Sequence, residues 1–146
     1  MSWFRSIDRQ ATPRRFGGSV KDMEARKVQV VVADDNAEVL MATCDLILEF
    51  GGVEIVSIAT NVDDAVRAAE WHQPDLVFAD AWLTGGGAEA VATRLKFASP
   101  RTVVVALASA KELELVLRLR AAGAAGCYEK ERLSSVLPGI LASVPR

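Results

Sequence analysis

From Val28 onward the chain alternates short runs of β-branched and apolar residues with longer amphipathic stretches, and this alternation constrains its fold more than any other feature. The apolar runs are VQVVVA (Val28–Ala33), VEIVSIA (Val53–Ala59), LVFA (Leu76–Ala79), TVVVALA (Thr102–Ala108) and GCYE (Gly126–Glu129). Most are continuous rather than alternating, as strands covered on both faces are. The stretches between them have helical spacing. In Ala37–Phe50, Leu40, Cys44, Ile47 and Leu48 share a face, and Gly51-Gly52 stops the helix. Asn61–His72 turns Val62, Ala65, Val66 and Ala69 inward; beyond Gly85-Gly86-Gly87, a third helix carries Ala88, Val91, Ala92 and Leu95 on one side.

The segment from Lys111 to Ala122 reads two ways. Leu113, Leu115, Leu117 and Leu119 alternate with charged residues and Val116 like a half-buried strand, yet Leu, Glu and Arg are good helix formers and Gly123 ends the pattern cleanly. It is assigned as helix. A last helix runs to Val144, and Pro138-Gly139 is expected to shorten or kink it. Five strands alternating with five helices predict an α/β fold, a doubly wound five-stranded parallel sheet.

The 146 residues suit one domain with a real core. Charge divides it: residues 1–27 hold seven Lys or Arg against three acids, whereas residues 28–146 hold ten against sixteen. Residues 1–27 are therefore read as a basic N-terminal extension and residues 28–146 as the domain. The extension is interrupted by Pro13 and Gly17-Gly18. It is expected to be a solvated tail, or else to dock on the acidic body or a partner through Trp3, Phe4, Ile7, Arg5 and Arg9. Ser19 and Asp22 have the spacing of a weak capping box. The longest apolar run, Val103–Ala108, is far short of a membrane span. Nothing at the N-terminus reads as a secretory signal, and two cysteines make no disulfide framework, so a cytoplasmic location is expected. The net charge of −2 gives no warrant for nucleic-acid binding by this chain itself.

In open α/β sheets the ligand crevice lies at the carboxyl ends of the strands, so the residues just past each strand carry the information. They are Asp34 and Asp35 after the first strand, Asp80 after the third, Ser109 after the fourth and Lys130 after the fifth. An aspartate after a strand is often only a helix cap. All five polar residues falling on one edge of one sheet is a different matter, and it points to a site.

These pieces, VVVADDN, PDLVFADAWLTGGG, VVVALASA and AAGAAGCYEK in that order, resemble the receiver domain of two-component response regulators over essentially all of residues 28–146. The resemblance implies a flavodoxin-like (βα)5 fold with strand order 2-1-3-4-5. It makes Asp80 the phosphoacceptor, Asp34 and Asp35 the acidic pair for Mg²⁺ (or Mn²⁺), and the Trp82 backbone carbonyl a further metal ligand. Ser109 becomes the switch hydroxyl and Lys130 the charge-neutralising lysine. The chemistry is coherent. Crowded carboxylates repel one another, a divalent cation relieves the repulsion, and a carboxylate can act as a nucleophile toward phosphorus. The implied partners are a sensor histidine kinase or a histidine phosphotransfer protein. Other chemistries fit less well: Gly85–Gly87 lacks the Lys-Ser/Thr of a P-loop, neither aspartate cluster reads Asp-x-Asp, and His72 is the only histidine.

The chain departs from the family pattern in several places. Glu131 follows the lysine where proline is common, Cys127 takes the place of an aromatic switch residue with Tyr128 turned to the opposite face, and Thr84 and Ala88 replace a frequent proline and glycine. Trp82 and Lys111 would flank the phosphoryl group, with the indole screening it from water, so slow autodephosphorylation is expected. The apolar residues of Lys111–Ala122 cover about 200° of a helical wheel, wider than one core-facing stripe. Either the outer leucines lie under neighbouring loops, or Leu115 and Leu119 form a surface for a protein target or a homodimer. With no output domain read before Arg146, the expectation is either a single-domain regulator acting by contact or a truncated chain, two readings the sequence leaves open, and in either case not an enzyme. The alternatives are the receiver half of a truncated DNA-binding transcriptional regulator and a phosphorylation-independent interaction module.

Overall fold

A computed structural model describes residues 26–145, so the sequence expectations for Trp3–Arg9 and Ser19–Asp22 lie outside the described residues. Strands β1 (Val28–Ala33), β2 (Val53–Ala59), β3 (Leu76–Asp80), β4 (Val103–Ala108) and β5 (Gly126–Glu129) form one sheet in the order β2-β1-β3-β4-β5. Every pairing is parallel. Helices α1 (Ala37–Phe50), α2 (Val62–His72), α3 (Gly87–Ala98), α4 (Leu113–Ala122) and α5 (Leu133–Ser143) connect and follow the strands. This is the flavodoxin-like receiver arrangement expected from the sequence.

Successive strand residues point to opposite faces, so continuous apolar strands feed two cores at once. On one side Val31, Ala33, Val77, Ala79 and Ala106 meet Ala65 and Val66 of α2, Val91 and Leu95 of α3, and Leu115 and Leu119 of α4. On the other, Val30, Val32, Ile55, Phe78 and Leu107 meet Leu40, Cys44 and Ile47 of α1 and Leu133 and Leu137 of α5. Cys44 is a core residue, its thiol pushed up to about 12 by burial, which makes it inert.

Two expectations need correction. Pro138 does not shorten the last helix, which continues to Ser143 after a short 3-10 turn at Lys130–Arg132. Pro138 and Ser134 both sit on the solvent face, so the carbonyl that loses its intrahelical partner is beside water. The second correction is in α4. Leu115 and Leu119, put forward as a partner surface, are core residues at 5% and 1% exposure, and it is Leu113 and Leu117 that stand out in solvent at 74% and 56%.

Candidate functional site

The sheet register brings the predicted residues together. Ala33 pairs with Ala79, so Asp34 and Asp80 leave adjacent strands side by side; Ala108 pairs with Glu129, so Ser109 and Lys130 follow as neighbours. β1 lies between β2 and β3, and the chain leaves its carboxyl end where the strand order reverses, the place where an open α/β sheet forms a crevice. Carboxylate oxygens of Asp34, Asp35 and Asp80 lie within 4.8 Å of one another there.

Neither Asp34 nor Asp35 is the cap of α1. That role belongs to Asn36, whose Oδ1 accepts from the Val39 amide at 3.1 Å. Asp34 is buried; its Oδ1 accepts from the Asn36 amide at 2.9 Å and its Oδ2 from Lys130 Nζ at 2.8 Å. Asp80 is buried at the end of β3, with Oδ1 2.7 Å from Lys130 Nζ and Oδ2 accepting from the Trp82 amide at 3.1 Å. Lys130 thus bridges two carboxylates from different strands. Burial of the amine works to lower its pKa and is the largest single influence, but the hydrogen bonds and charges of Asp34 and Asp80 together outweigh it, and the ammonium is held above the ordinary lysine range. Asp35 is the exposed member of the trio. Its carboxyl is held below the ordinary range, chiefly by the Thr84 hydroxyl at 2.6 Å.

The donor set suits a hard divalent cation. Three carboxylates converge with no thiolate or imidazole among them, the oxygen-only chemistry that Mg²⁺ or Mn²⁺ takes. Lys130 lies beside two of the three, so the cluster sets one fixed positive charge against three carboxylates.

The remaining predicted residues surround this cluster less closely. Ser109 is exposed at the end of β4, and its hydroxyl has no hydrogen-bond partner among the described residues. Cys127 is buried in the core beneath α4 while Tyr128 packs toward the α1–α5 side, as their alternation along β5 requires. Lys111 Nζ lies 5.8 Å from the centre of the Tyr128 ring, which places its ammonium over β5. Trp82 is 63% exposed, with the Arg118 guanidinium of α4 5.8 Å from its ring centre. Arg118 also reaches Glu89 of α3 at 3.4 Å, so the acceptor loop touches two helices through one side chain.

Sequence reasoning missed two residues. In the sequence Thr84 stands out only as a departure from a frequent proline, yet its amide and hydroxyl both hold Asp35. Ala88 stands where a glycine is frequent, but the structural demand falls one residue earlier. Gly87 adopts φ +73°, and a Cβ there would run into the Ala81 carbonyl. The Gly85–Gly87 run carried that signal.

Comparison with known proteins agrees with this geometry. A family model described as the response regulator receiver domain matches residues 30–139. The transcriptional regulatory protein PdtaR of Mycobacterium tuberculosis is 32% identical over 120 residues, covering 81% of this chain and 57% of PdtaR. The response regulator GacA of Pseudomonas syringae pv. syringae is 31% identical over 104 residues, covering 70% and 48%. The chain therefore spans about half the length of these relatives. Among solved structures, the signal receiver domain of the response regulator NarL from Mycobacterium tuberculosis superposes with a TM-score of 0.74 at 23% identity, over 81% of this chain and 98% of that one. The response regulator domain of Thermotoga maritima CheB gives 0.73 at 17% identity, over 82% and 96%. These two establish likeness of fold. Among the described residues no helix is long and apolar enough to cross a membrane. By its family match, its relatives and its architecture, the chain belongs to the response regulator receiver domain family of two-component signalling.

Proposed function

We propose that this receiver accepts a phosphoryl group on Asp80 from the phosphohistidine of a sensor histidine kinase or histidine phosphotransfer protein, and then shifts its own conformation to control a partner. The supporting observation is the Lys130 ammonium held between Asp34 and Asp80 at 2.8 and 2.7 Å, with Asp35 completing a three-carboxylate cluster. Asp80 Oδ1 or Oδ2 attacks phosphorus, the P–N bond to the donor imidazole breaks, and the imidazole leaves with the bonding pair and takes a proton from solvent. Asp34, Asp35 and Asp80 would hold Mg²⁺ or Mn²⁺, which when bound supplies positive charge to the transferring phosphoryl oxygens. Lys130 is placed to supply the second positive charge. The Trp82 amide and Lys130 hold the two Asp80 oxygens separately, which fixes the rotation of the carboxylate and supports the acceptor reading.

Once phosphorylated, Asp80 would present new oxygens to the open Ser109 hydroxyl. A hydrogen bond there would draw the β4–α4 loop toward β3 and bias the packing of α4, the logic of a phosphorylation switch. The exposed Trp82 indole would slow hydrolysis of the acyl phosphate. The protein is then a switch that catalyses only its own transfer and slow dephosphorylation.

The test is incubation with Mg²⁺ and a small acyl-phosphate donor, comparing wild type with Asp80→Ala. Base-labile phosphate on wild type and none on the variant is the expected result. Labelling that survives the substitution overturns the acceptor assignment, and no labelling of either, with a folded protein, favours the phosphorylation-independent interaction module. An unchanged lifetime of the phosphorylated form in Trp82→Ala would refute the screening role. A second reading, control of transcription by a longer protein, draws support from PdtaR, a transcriptional regulatory protein of which this chain covers 57%. The length of the encoded reading frame tests it.

A further inference from the structure

Of the three clustered carboxylates, two are fixed twice over, by burial and by Lys130. Asp35 has neither support: its side chain is exposed and Lys130 bonds only the other two. An exposed carboxylate turns freely about its side-chain bonds, and that freedom has to be given up before it can ligate anything. In this chain the chief constraint comes from Thr84. Its hydroxyl donates to Asp35 Oδ2 at 2.6 Å and its amide donates to the same oxygen at 3.2 Å. Both donors fall on one oxygen, which sets the rotation of the carboxylate and leaves Oδ1 for ligation.

Thr84 is itself anchored. Its carbonyl accepts from the amide of Val62, the first residue of α2, at 2.8 Å. The next residue, Gly85, lies at φ +104°, and a Cβ there would stand 3.1 Å from Val62 Cβ, so the loop lies against α2 at a distance that favours glycine. The Asp35 carboxylate is therefore tied to the end of a helix rather than to a free loop.

We infer that Thr84 is a positioning residue that orients Asp35 for the divalent cation, an inference that rests on the metal-binding reading above. Hydrogen-bonding partners of metal ligands typically contribute about 10–100-fold to metal affinity. Thr84→Val keeps the side-chain shape and the amide donor but removes the hydroxyl, so the low end, about a 10-fold weakening, is expected. Thr84→Ser keeps the hydroxyl and should bind like wild type.

The experiment is calorimetric titration of Mg²⁺ into wild type, Thr84→Val, Thr84→Ser and Asp35→Asn, with urea midpoints confirming that all are folded. Weaker binding in Thr84→Val, recovery in Thr84→Ser and the greatest loss in Asp35→Asn support the assignment. Equal or tighter binding by Thr84→Val overturns it, the tighter case meaning that the hydroxyl competes with the cation for Oδ2. A Thr84→Ser variant as weak as Thr84→Val also overturns it, because the methyl group and not the hydroxyl would then matter. If wild type takes up no Mg²⁺, the metal-binding reading itself falls and this inference with it; if wild type binds and Asp35→Asn does not, a normal Thr84→Val removes the Thr84 assignment alone.

Discussion

Replacing Lys130 by methionine should destabilise this protein far more than replacing Asp80 by asparagine, although the two side chains share one ion pair. Lys130 Nζ stands 2.8 Å from Asp34 and 2.7 Å from Asp80, and both aspartates are buried. Lys130→Met leaves two like charges facing each other without a counter-charge. Deleting one partner of a buried pair costs about 3–5 kcal/mol. The Lys130 side chain retains 23% of its exposure, so water screens part of the loss and the low end, about 3 kcal/mol, applies. In Asp80→Asn the lysine keeps Asp34 and one carboxylate repulsion disappears, leaving a cost of about 1 kcal/mol or less, the net value of one hydrogen bond. With a urea slope of about 2 kcal/mol per molar, the midpoints should fall by about 1.5 M and by less than about 0.5 M respectively, measured in a chelator. Adding Mg²⁺ should restore much of the stability of Lys130→Met, because a bound cation stabilises by about 2.7 kcal/mol at a hundredfold excess over its Kd. It should do less for Asp80→Asn, which has lost a ligand. Equal midpoint shifts for the two variants, or a larger Mg²⁺ effect on Asp80→Asn, would refute this account of the site's electrostatics.

The same ion pairs set a pH dependence. The Lys130 ammonium is held above its usual 10.5, so its contribution to stability is complete below that pH and is lost as pH rises through the higher folded-state value. Urea midpoints of wild type and Lys130→Met should therefore converge in the alkaline range; parallel curves would contradict the pairing. Leu119→Ala should cost about 2–4 kcal/mol in thermal or urea unfolding, whereas Leu117→Ala on the exposed face should stay within about 0.5 kcal/mol. Gly87→Ala should cost about 2–3 kcal/mol, since it places a Cβ against the Ala81 carbonyl at a positive φ. Adding Ala88→Gly should not recover that loss, because position 88 is not where the turn needs glycine; recovery would show that the two positions are interchangeable.

The parallel sheet and the site's location were legible because each is carried by local chemistry that tertiary packing does not override, whereas the strand order was legible only through the family resemblance. Continuous valine runs such as VQVVVA suit only a sheet covered on both faces, and residues just past such strands must emerge at its carboxyl edge. Asp34, Asp80 and Lys130 therefore met where their positions required. Asn36 beside Asp34 and Asp35 also mattered: with asparagine capping α1, both aspartates were released from the commonest alternative role. Thr84 was not legible in the same way. Its bond to Asp35 joins residues 49 positions apart and depends on how the β3–α3 loop folds back against α2, which no local pattern encodes. That Pro138 would leave the helix unshortened was not legible for a related reason. The cost of an interior proline depends on whether the carbonyl it strands can find water, and that depends on which face of the helix is turned outward.

The inward face of α4 is the more instructive error. Leucines at 113, 115, 117 and 119 make two stripes of helical spacing, Leu113 with Leu117 and Leu115 with Leu119, on widely separated faces. Within those four residues nothing ranks one stripe above the other, and the total apolar width invited a partner-surface reading. Extending each stripe by one more turn separates them. Leu115 and Leu119 continue to Ala122, which is buried, while Leu113 and Leu117 continue to Arg120 and Ala121, which are exposed. A guanidinium at the third position of a stripe forbids burial of that face without a partner charge, and an alanine at the equivalent position permits the close approach to β5 that places Cys127 in the same core. When a helix repeats leucine at every second position, its direction is set by the residues that end the repeat, and here those are Arg120 and Ala122.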